Sequence, residues 1–311
     1  MTMYTVLITE PIADAGVSLL RTAGVTIRGP LDAQADLPQA IRDVDAVIVR
    51  SAVLSAAILG QANQLRIIAK HGVGTDNIDR AACDARQIAI AVTAGANSDS
   101  VAEFVLGAFV ALARNLVHAR ELAVQGQFRR KGEVIGTEWH GKSIGVIGYG
   151  NIGRAVVPRL AFGLGVKVVV YDPFVRVEEP SMTGQMFQAE KLDDLLGRVE
   201  GVTLHVPLTS KTRHLINATN LSRLKPGSYL VNTSRGAVVE QEALREAIRT
   251  GALGGAALDV FDPEPPVSDD PLLYSPRVLA TPHIASNTRE AMDNMAVASA
   301  RAVLQELQFG L

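Results

Sequence analysis

Arg235, Glu264 and His283 are the residues of this chain whose types together suit acid–base work on a small anion. Arginine carries a permanently charged planar fork that matches a carboxylate or a carbonyl oxygen. Histidine titrates near neutrality, so it can both take and give a proton. A carboxylate beside it stabilises the imidazolium form. Taken singly, each has an ordinary structural use: Arg235 in a surface ion pair, Glu264 as a solvated acid among prolines, His283 as a hydrogen-bonded buried imidazole. They gain weight from position. Each lies in a segment that follows an expected strand: Val231–Gly236, Leu258–Pro265 and Thr281–Ile284. Open α/β sheets bind their ligands at strand ends of this kind.

Upstream lies a glycine pattern, Gly148-Tyr149-Gly150-Asn151-Ile152-Gly153, between an expected strand and an expected helix. Gly148 permits the tight turn, Gly150 lets the backbone approach a pyrophosphate, and Gly153 lets helix and strand pack closely. The phosphates would meet the helix N-terminus and its unpaired amides. Asp172 follows Gly153 by 19 positions at the end of the next strand. A carboxylate there accepts from the adenosine ribose hydroxyls. It also repels a 2′-phosphate, which favours NAD over NADP, although Arg176 nearby would soften that preference. A glycine-rich turn with an unrelated Asp, or a methyltransferase using another nucleoside cofactor, are the alternatives. With a nicotinamide present, the Arg, Glu and His set is suited to hydride transfer at a carbon bearing oxygen.

The elements that must position these residues are legible in outline. Buried strands are expected at Thr5–Ile8, Ala46–Val49, Ile67–Ala69, Ile144–Ile147, Val166–Tyr171, Val202–Val206, Tyr229–Val231 and Ala256–Leu258. Continuous apolar strands that alternate with amphipathic helical patterns mean parallel sheets covered on both faces. The fold class is therefore α/β, with two such series, before about residue 95 and after about residue 140. One long helix over Ser98–Asn115, capped by Asn97 or Ser98, is expected to join two lobes. The polar stretch Gln125–Gly141 reads as a connection, and Thr288–Leu307 as a final helix.

Composition narrows the class of partner. The chain has 311 residues, 48% hydrophobic and 20% charged, with a formal net charge of -2. That balance argues against nucleic acid or an anionic membrane as the main partner. The single cysteine, Cys83, excludes a disulfide framework or a cysteine zinc site within the chain, and no metal is expected. Met1–Glu10 lacks the pattern of a signal peptide, and Val101–Ala113 is too short to span a bilayer, so a cytoplasmic protein is expected.

These segments resemble the D-isomer-specific 2-hydroxyacid dehydrogenase family over nearly the whole chain. Further matching stretches are Lys70–Asp79, Ser100–Glu103 and His205–Leu208. The resemblance implies two Rossmann- or flavodoxin-like lobes, with an NAD domain (98–285) inserted into a discontinuous substrate domain (1–97 plus 286–311). It implies an NAD-dependent oxidoreductase acting between a small D-2-hydroxy acid and its 2-oxo acid, and a homodimer through the cofactor domain. Arg235 would bind the substrate carboxylate and carbonyl, and His283 would be the acid–base, paired with Glu264. The amides of Val73 and Gly74 would hold the carboxylate, and Arg50 and Ser51 would meet the distal end of the substrate. Asn151 and Ile152 would offer amides to the pyrophosphate. Val206, Pro207, Thr233 and Ser234 would line the cofactor site, and Asp259 would take the nicotinamide carboxamide. Lobe closure would exclude water. Arg50 and Lys70 leave an anionic substrate tail open. Glu240 stands where the family usually has Asp. The 311 residues leave no room for the regulatory domain of some phosphoglycerate dehydrogenases, so serine feedback is not expected. An NAD(H)-sensing protein of the same fold, or a formate-dehydrogenase-like enzyme, are the competing readings.

Overall fold

The structure is a computed structural model that describes residues 4–31, 37–177 and 185–308. The chain divides into two compact units, Met1–Asn97 with Asn287–Leu311, and Ser98–Ser286. Residues 1–3 and 309–311, which the expected first domain included, lie outside the described residues.

The first unit holds five strands: β1 (Thr5–Ile8), β2 (Thr26–Arg28), β3 (Ala46–Val49), β4 (Ile67–Lys70) and β5 (Ala89–Val92). They pair in parallel in the order β2-β1-β3-β4-β5. Every residue of β3 is buried, which is why it reads as an unbroken apolar run. The strands β2 and β5 were not expected. The first ends in a charge and the second is half alanine, so neither has the β-branched density that marks β3. The final helix, Arg289–Glu306, starts from Thr288, whose side chain accepts from the Ala291 amide. It packs on helix Asp14–Thr22, where Gly16 permits contact: a Cβ there would lie 2.5 Å from the Ala296 carbonyl oxygen.

The second unit holds seven: β6 (Ser143–Ile147), β7 (Lys167–Tyr171), β8 (Met186–Gln188), β9 (Gly201–Leu204), β10 (Ser228–Asn232), β11 (Leu253–Leu258) and β12 (Val278–Ala280). Their order is β12-β11-β10-β9-β6-β7-β8, all parallel. Both sheets are therefore doubly wound, and each has one point at which strand order reverses. That point falls between β1 and β3 in the first unit, and between β6 and β9 in the second.

The expected single helix over Ser98–Asn115 is corrected. A helix covers Ser98–Ala113, and a second, Leu116–Val124, leaves it at 63°. The break sits at Asn115, whose φ of +50° is a left-handed conformation that Asn tolerates better than most residues. Neither expected cap forms. Ser98 already lies within the first turn, and its Oγ and the Asn97 Oδ1 are buried without hydrogen-bond partners. The connection Gln125–Gly141 contains a 3₁₀ turn at Phe128–Val134. Trp139 ends it, donating from Nε1 to the Phe109 carbonyl at 2.8 Å and packing edge-on against Phe109 and Tyr229. Among the described residues no single helix is long and apolar enough to cross a membrane.

Candidate active site

The turn after β6 opens helix Asn151–Leu164 and carries the glycine pattern. Gly148 has φ +95°, and a Cβ there would lie 2.4 Å from the His205 carbonyl oxygen. At Gly153 a Cβ would lie 2.2 Å from the Gly148 carbonyl oxygen, so only glycine lets the helix sit this close to the turn. Gly150 differs: a Cβ there would meet nothing within 4 Å. The turn is thus crowded on its protein side and open where a pyrophosphate would approach. The amides of Gly150, Asn151 and Ile152 donate to no acceptor among the described residues. Asp172, at the end of β7, holds the turn from below, accepting from the Tyr149 amide at 2.8 Å. Its other oxygen accepts from the Phe174 and Val175 amides. Val206 borders the same turn, 3.0 Å from a Gly148 Cβ, and Pro207 is exposed beyond it. The His205 ring is neutral, because burial pushes it down to about 3, and its Nε2 pairs with the Thr203 hydroxyl at 3.0 Å.

The loop after β10 is built on Asn232. Its Oδ1 accepts from both the amide and the hydroxyl of Ser234, and its Nδ2 donates to the Arg235 carbonyl at 2.9 Å. Ser234 therefore spends its hydroxyl inside the loop. The Thr233 hydroxyl, by contrast, is buried with no partner. Gly236 then presses on the next loop; a Cβ there would lie 2.0 Å from the Phe261 carbonyl carbon and oxygen. This contact brings Arg235 beside the segment that carries Glu264.

Glu264 Oε1 lies 2.7 Å from His283 Nδ1, and both side chains are nearly half exposed. Burial raises the Glu264 carboxyl. The hydrogen bond and charge of His283, the Phe261 amide and the Arg235 guanidinium outweigh it and hold the group below its usual range. The three residues named first from the sequence are thus within electrostatic reach of one another. A cavity of about 460 Å³ opens beside the pair, walled by Phe261, Leu273, Ala280 and Pro282. His283 itself has φ +55°.

Asp259, at the end of β11, is 1% exposed. Its carboxylate accepts from the Thr281 hydroxyl, the Ile284 amide and the Ala285 amide at 2.7–2.8 Å.

In the first unit the amides of Val73 and Gly74 have no acceptor among the described residues, and Val73 is 46% exposed. Arg50 donates from Nη1 to the Pro11 carbonyl at 2.9 Å. The Ser51 hydroxyl and amide both donate to Glu10, as do the amides of Arg50 and Ala52. Lys70 turns inward, its ammonium donating to the Arg50 carbonyl and to Asn77 Oδ1. Its ammonium is thus hydrogen-bonded within the loop. Glu10 was not anticipated, since a lone Glu after a strand gives no sign of what it accepts. Asn232 had a legible signal, an Asn two residues before a Ser at a strand end, the pattern of a side-chain-closed turn.

Residues 106–285 match the D-isomer specific 2-hydroxyacid dehydrogenase, NAD binding domain. The chain belongs to the D-isomer-specific 2-hydroxyacid dehydrogenase family. Its seven-stranded unit is the NAD-binding domain of that family. The open face at Gly150, the three unpaired amides, Asp172 and the partnerless Thr233 hydroxyl all fit a dinucleotide. Among curated relatives, a D-3-phosphoglycerate dehydrogenase of Methanocaldococcus jannaschii is 36% identical over 93% of this chain and 55% of its own length. The chain thus spans about half the length of that relative. A hydroxypyruvate reductase of Thermotoga maritima is 38% identical over 88% of each chain. An NAD-dependent formate dehydrogenase of Staphylococcus aureus, solved in complex with NAD, superposes with a TM-score of 0.86 at 28% identity, covering 98% of this chain and 96% of that one.

Proposed function

We propose that this family member interconverts a small D-2-hydroxy acid and its 2-oxo acid with NAD as redox partner. The Glu264–His283 contact of 2.7 Å, within reach of the Arg235 charge, carries the reading. When bound, NAD supplies or accepts the hydride at carbon 2 of the substrate. In reduction, His283 donates its Nε2 proton to the carbonyl oxygen, and Glu264 stabilises the imidazolium beforehand. In oxidation the neutral ring takes the hydroxyl proton back. Arg235 orients the substrate carboxylate and polarises the oxygen. We assign the Val73 and Gly74 amides to substrate binding. On the cofactor side we assign the Asn151 and Ile152 amides to the pyrophosphate, Asp172 to the ribose, Thr233 and Val206 to the ring pocket, and Asp259 to the carboxamide. The Glu264–His283 pair also argues against formate chemistry, which moves no hydroxyl proton.

Arg50, Ser51 and Lys70 all bond within the first unit, Arg50 to the Pro11 carbonyl, Ser51 to Glu10 and Lys70 to Asn77. We therefore rank short uncharged-tail acids, glyoxylate and hydroxypyruvate, ahead of phosphohydroxypyruvate. The test is NADH oxidation by purified protein with these three and pyruvate. Turnover with a short acid supports the reading; tight NADH binding without turnover on any of them makes the protein a sensor. We further propose a homodimer through the NAD-binding unit, where Val110, Leu116, Ile135 and Phe162 are exposed. A monomeric mass by light scattering refutes that.

A further inference from the structure

His283 sits on a segment that Asp259 holds from both sides. The Thr281 hydroxyl, two residues before it, donates to Asp259 Oδ1 at 2.7 Å. The amides of Ile284 and Ala285, just after it, donate to Oδ1 and Oδ2 at 2.7 and 2.8 Å. The amide of His283 itself donates to the Asp259 carbonyl at 2.9 Å. Thr281 is in turn registered by its own amide on the Leu258 carbonyl at 2.9 Å. Such a convergence has a physical reason. A left-handed conformation is costly for a non-glycine residue, and His283 adopts it at φ +55°. It persists only where neighbouring bonds over-determine it. A carboxylate accepts about four hydrogen bonds, so three inward bonds leave roughly one position on Oδ2 for the cofactor.

We propose that Thr281 and Asp259 form a clamp that positions His283 against Glu264, a task separate from any contact Asp259 makes with the cofactor. Thr281 is thus a positioning residue that acts through the carboxylate that sets the imidazole. The proposal rests on His283 being the acid–base of the reaction.

Thr281→Val separates the two tasks of Asp259, because it removes one inward bond and leaves the carboxylate in place. The expected result is a kcat about 10- to 100-fold lower, with KM for the 2-oxo acid and the fluorescence-measured Kd for NADH within about twofold of wild type. Thr281→Ser, which restores the hydroxyl, should recover most of kcat. Asp259→Asn should lower kcat and weaken NADH binding together. Wild-type kcat in Thr281→Val, a loss matched by weaker NADH binding, or no recovery in Thr281→Ser would each overturn the clamp. A second readout stands apart from turnover. The His283 ring proton shared with Glu264 should give a low-field NMR signal that is lost in Thr281→Val and regained in Thr281→Ser. Should the wild-type protein reduce no 2-oxo acid, this signal alone decides the clamp: loss and recovery uphold it, and an unchanged signal overturns it.

Discussion

The two sheets offer the same kind of place twice, and the chain treats the two places in opposite ways. Where strand order reverses between β6 and β9, the backbone turns back on three glycines and leaves amides facing open space at Gly150. Where it reverses between β1 and β3, the amides of Arg50, Ser51 and Ala52 also point together, but Glu10 fills the place from within the chain. The Thr9 and Ser51 hydroxyls complete its shell. Burial raises that carboxyl, yet the Thr9 hydroxyl and the three amides outweigh burial and hold it below its ordinary value. Topology thus makes an anion-binding crevice, and one side chain decides whether a ligand or the protein occupies it. The histidines divide along the same line. His283 faces a carboxylate and a cavity, whereas His71 is 6% exposed, with Nε2 buried and partnerless.

The strongest way to break this contrast is His283→Ala. Turnover should fall by about two to four orders of magnitude, the usual range for losing a general acid–base, while NADH binding survives. Stopped-flow measurement of both checks it, and near-wild-type turnover would move the chemistry elsewhere.

The next effect belongs to His71. Burial, with the charges of Arg50 and Lys70, pushes it down to about 4, against the opposing pull of its own and the Met292 carbonyls. The unfolded chain takes up a proton near pH 6.5, and the folded one resists until about pH 4. Stability from this group is therefore complete above pH 6.5 and drains away as pH falls towards 4, by roughly 3 kcal/mol. His205, down at about 3, adds a loss in the same direction. Urea unfolding at stepped pH should show His71→Leu with a shallower acid slope than wild type; equal slopes would mean that the imidazole is not buried neutral.

Glu10→Gln should cost about 1–3 kcal/mol, since an amide group then faces donors with which it cannot pair fully. NADH affinity should not change, because the first crevice is structural. A folded-state pKa below the unfolded one gives stability that is present above the unfolded value and lost as pH falls through the folded value. The variant should accordingly lose part of the wild-type acid sensitivity below pH 4.5. Weakened NADH binding in this variant would contradict the assignment of the two crevices.

The mildest test is Gly150→Ala. No atom lies within 4 Å of the added methyl, and the backbone there is in an extended conformation open to alanine. The melting temperature should hold while NADH affinity falls by about tenfold, because the methyl takes space needed by the pyrophosphate. A lower melting temperature with unchanged affinity would reverse the reading of this turn as open.

Much of this architecture was legible in the sequence, for identifiable reasons. The runs at Ala46–Val49 and Ile144–Ile147 are buried on both faces, and burial on both faces writes an unbroken apolar signature. The β2, β5 and β8 strands left no such mark, being short or poor in branched residues. Glycines with fixed spacing announced the cofactor turn, because the steric demand on each is local. The helix break at Asn115 was missed because apolar periodicity says nothing of a single left-handed residue.

Local chemistry set by neighbours in the chain was therefore determined by the sequence alone: doubly wound sheets, a dinucleotide turn, and Arg, Glu and His at strand ends. Tertiary structure alone decided which charges are spent. Lys70 and Glu10 turn inward, Thr281 reaches Asp259 across 22 positions of chain, and Glu264 meets His283 across 19. A residue's type fixes what bonds it can make. Only packing that brings distant segments together fixes which of those bonds are already taken, and so which groups remain for a ligand.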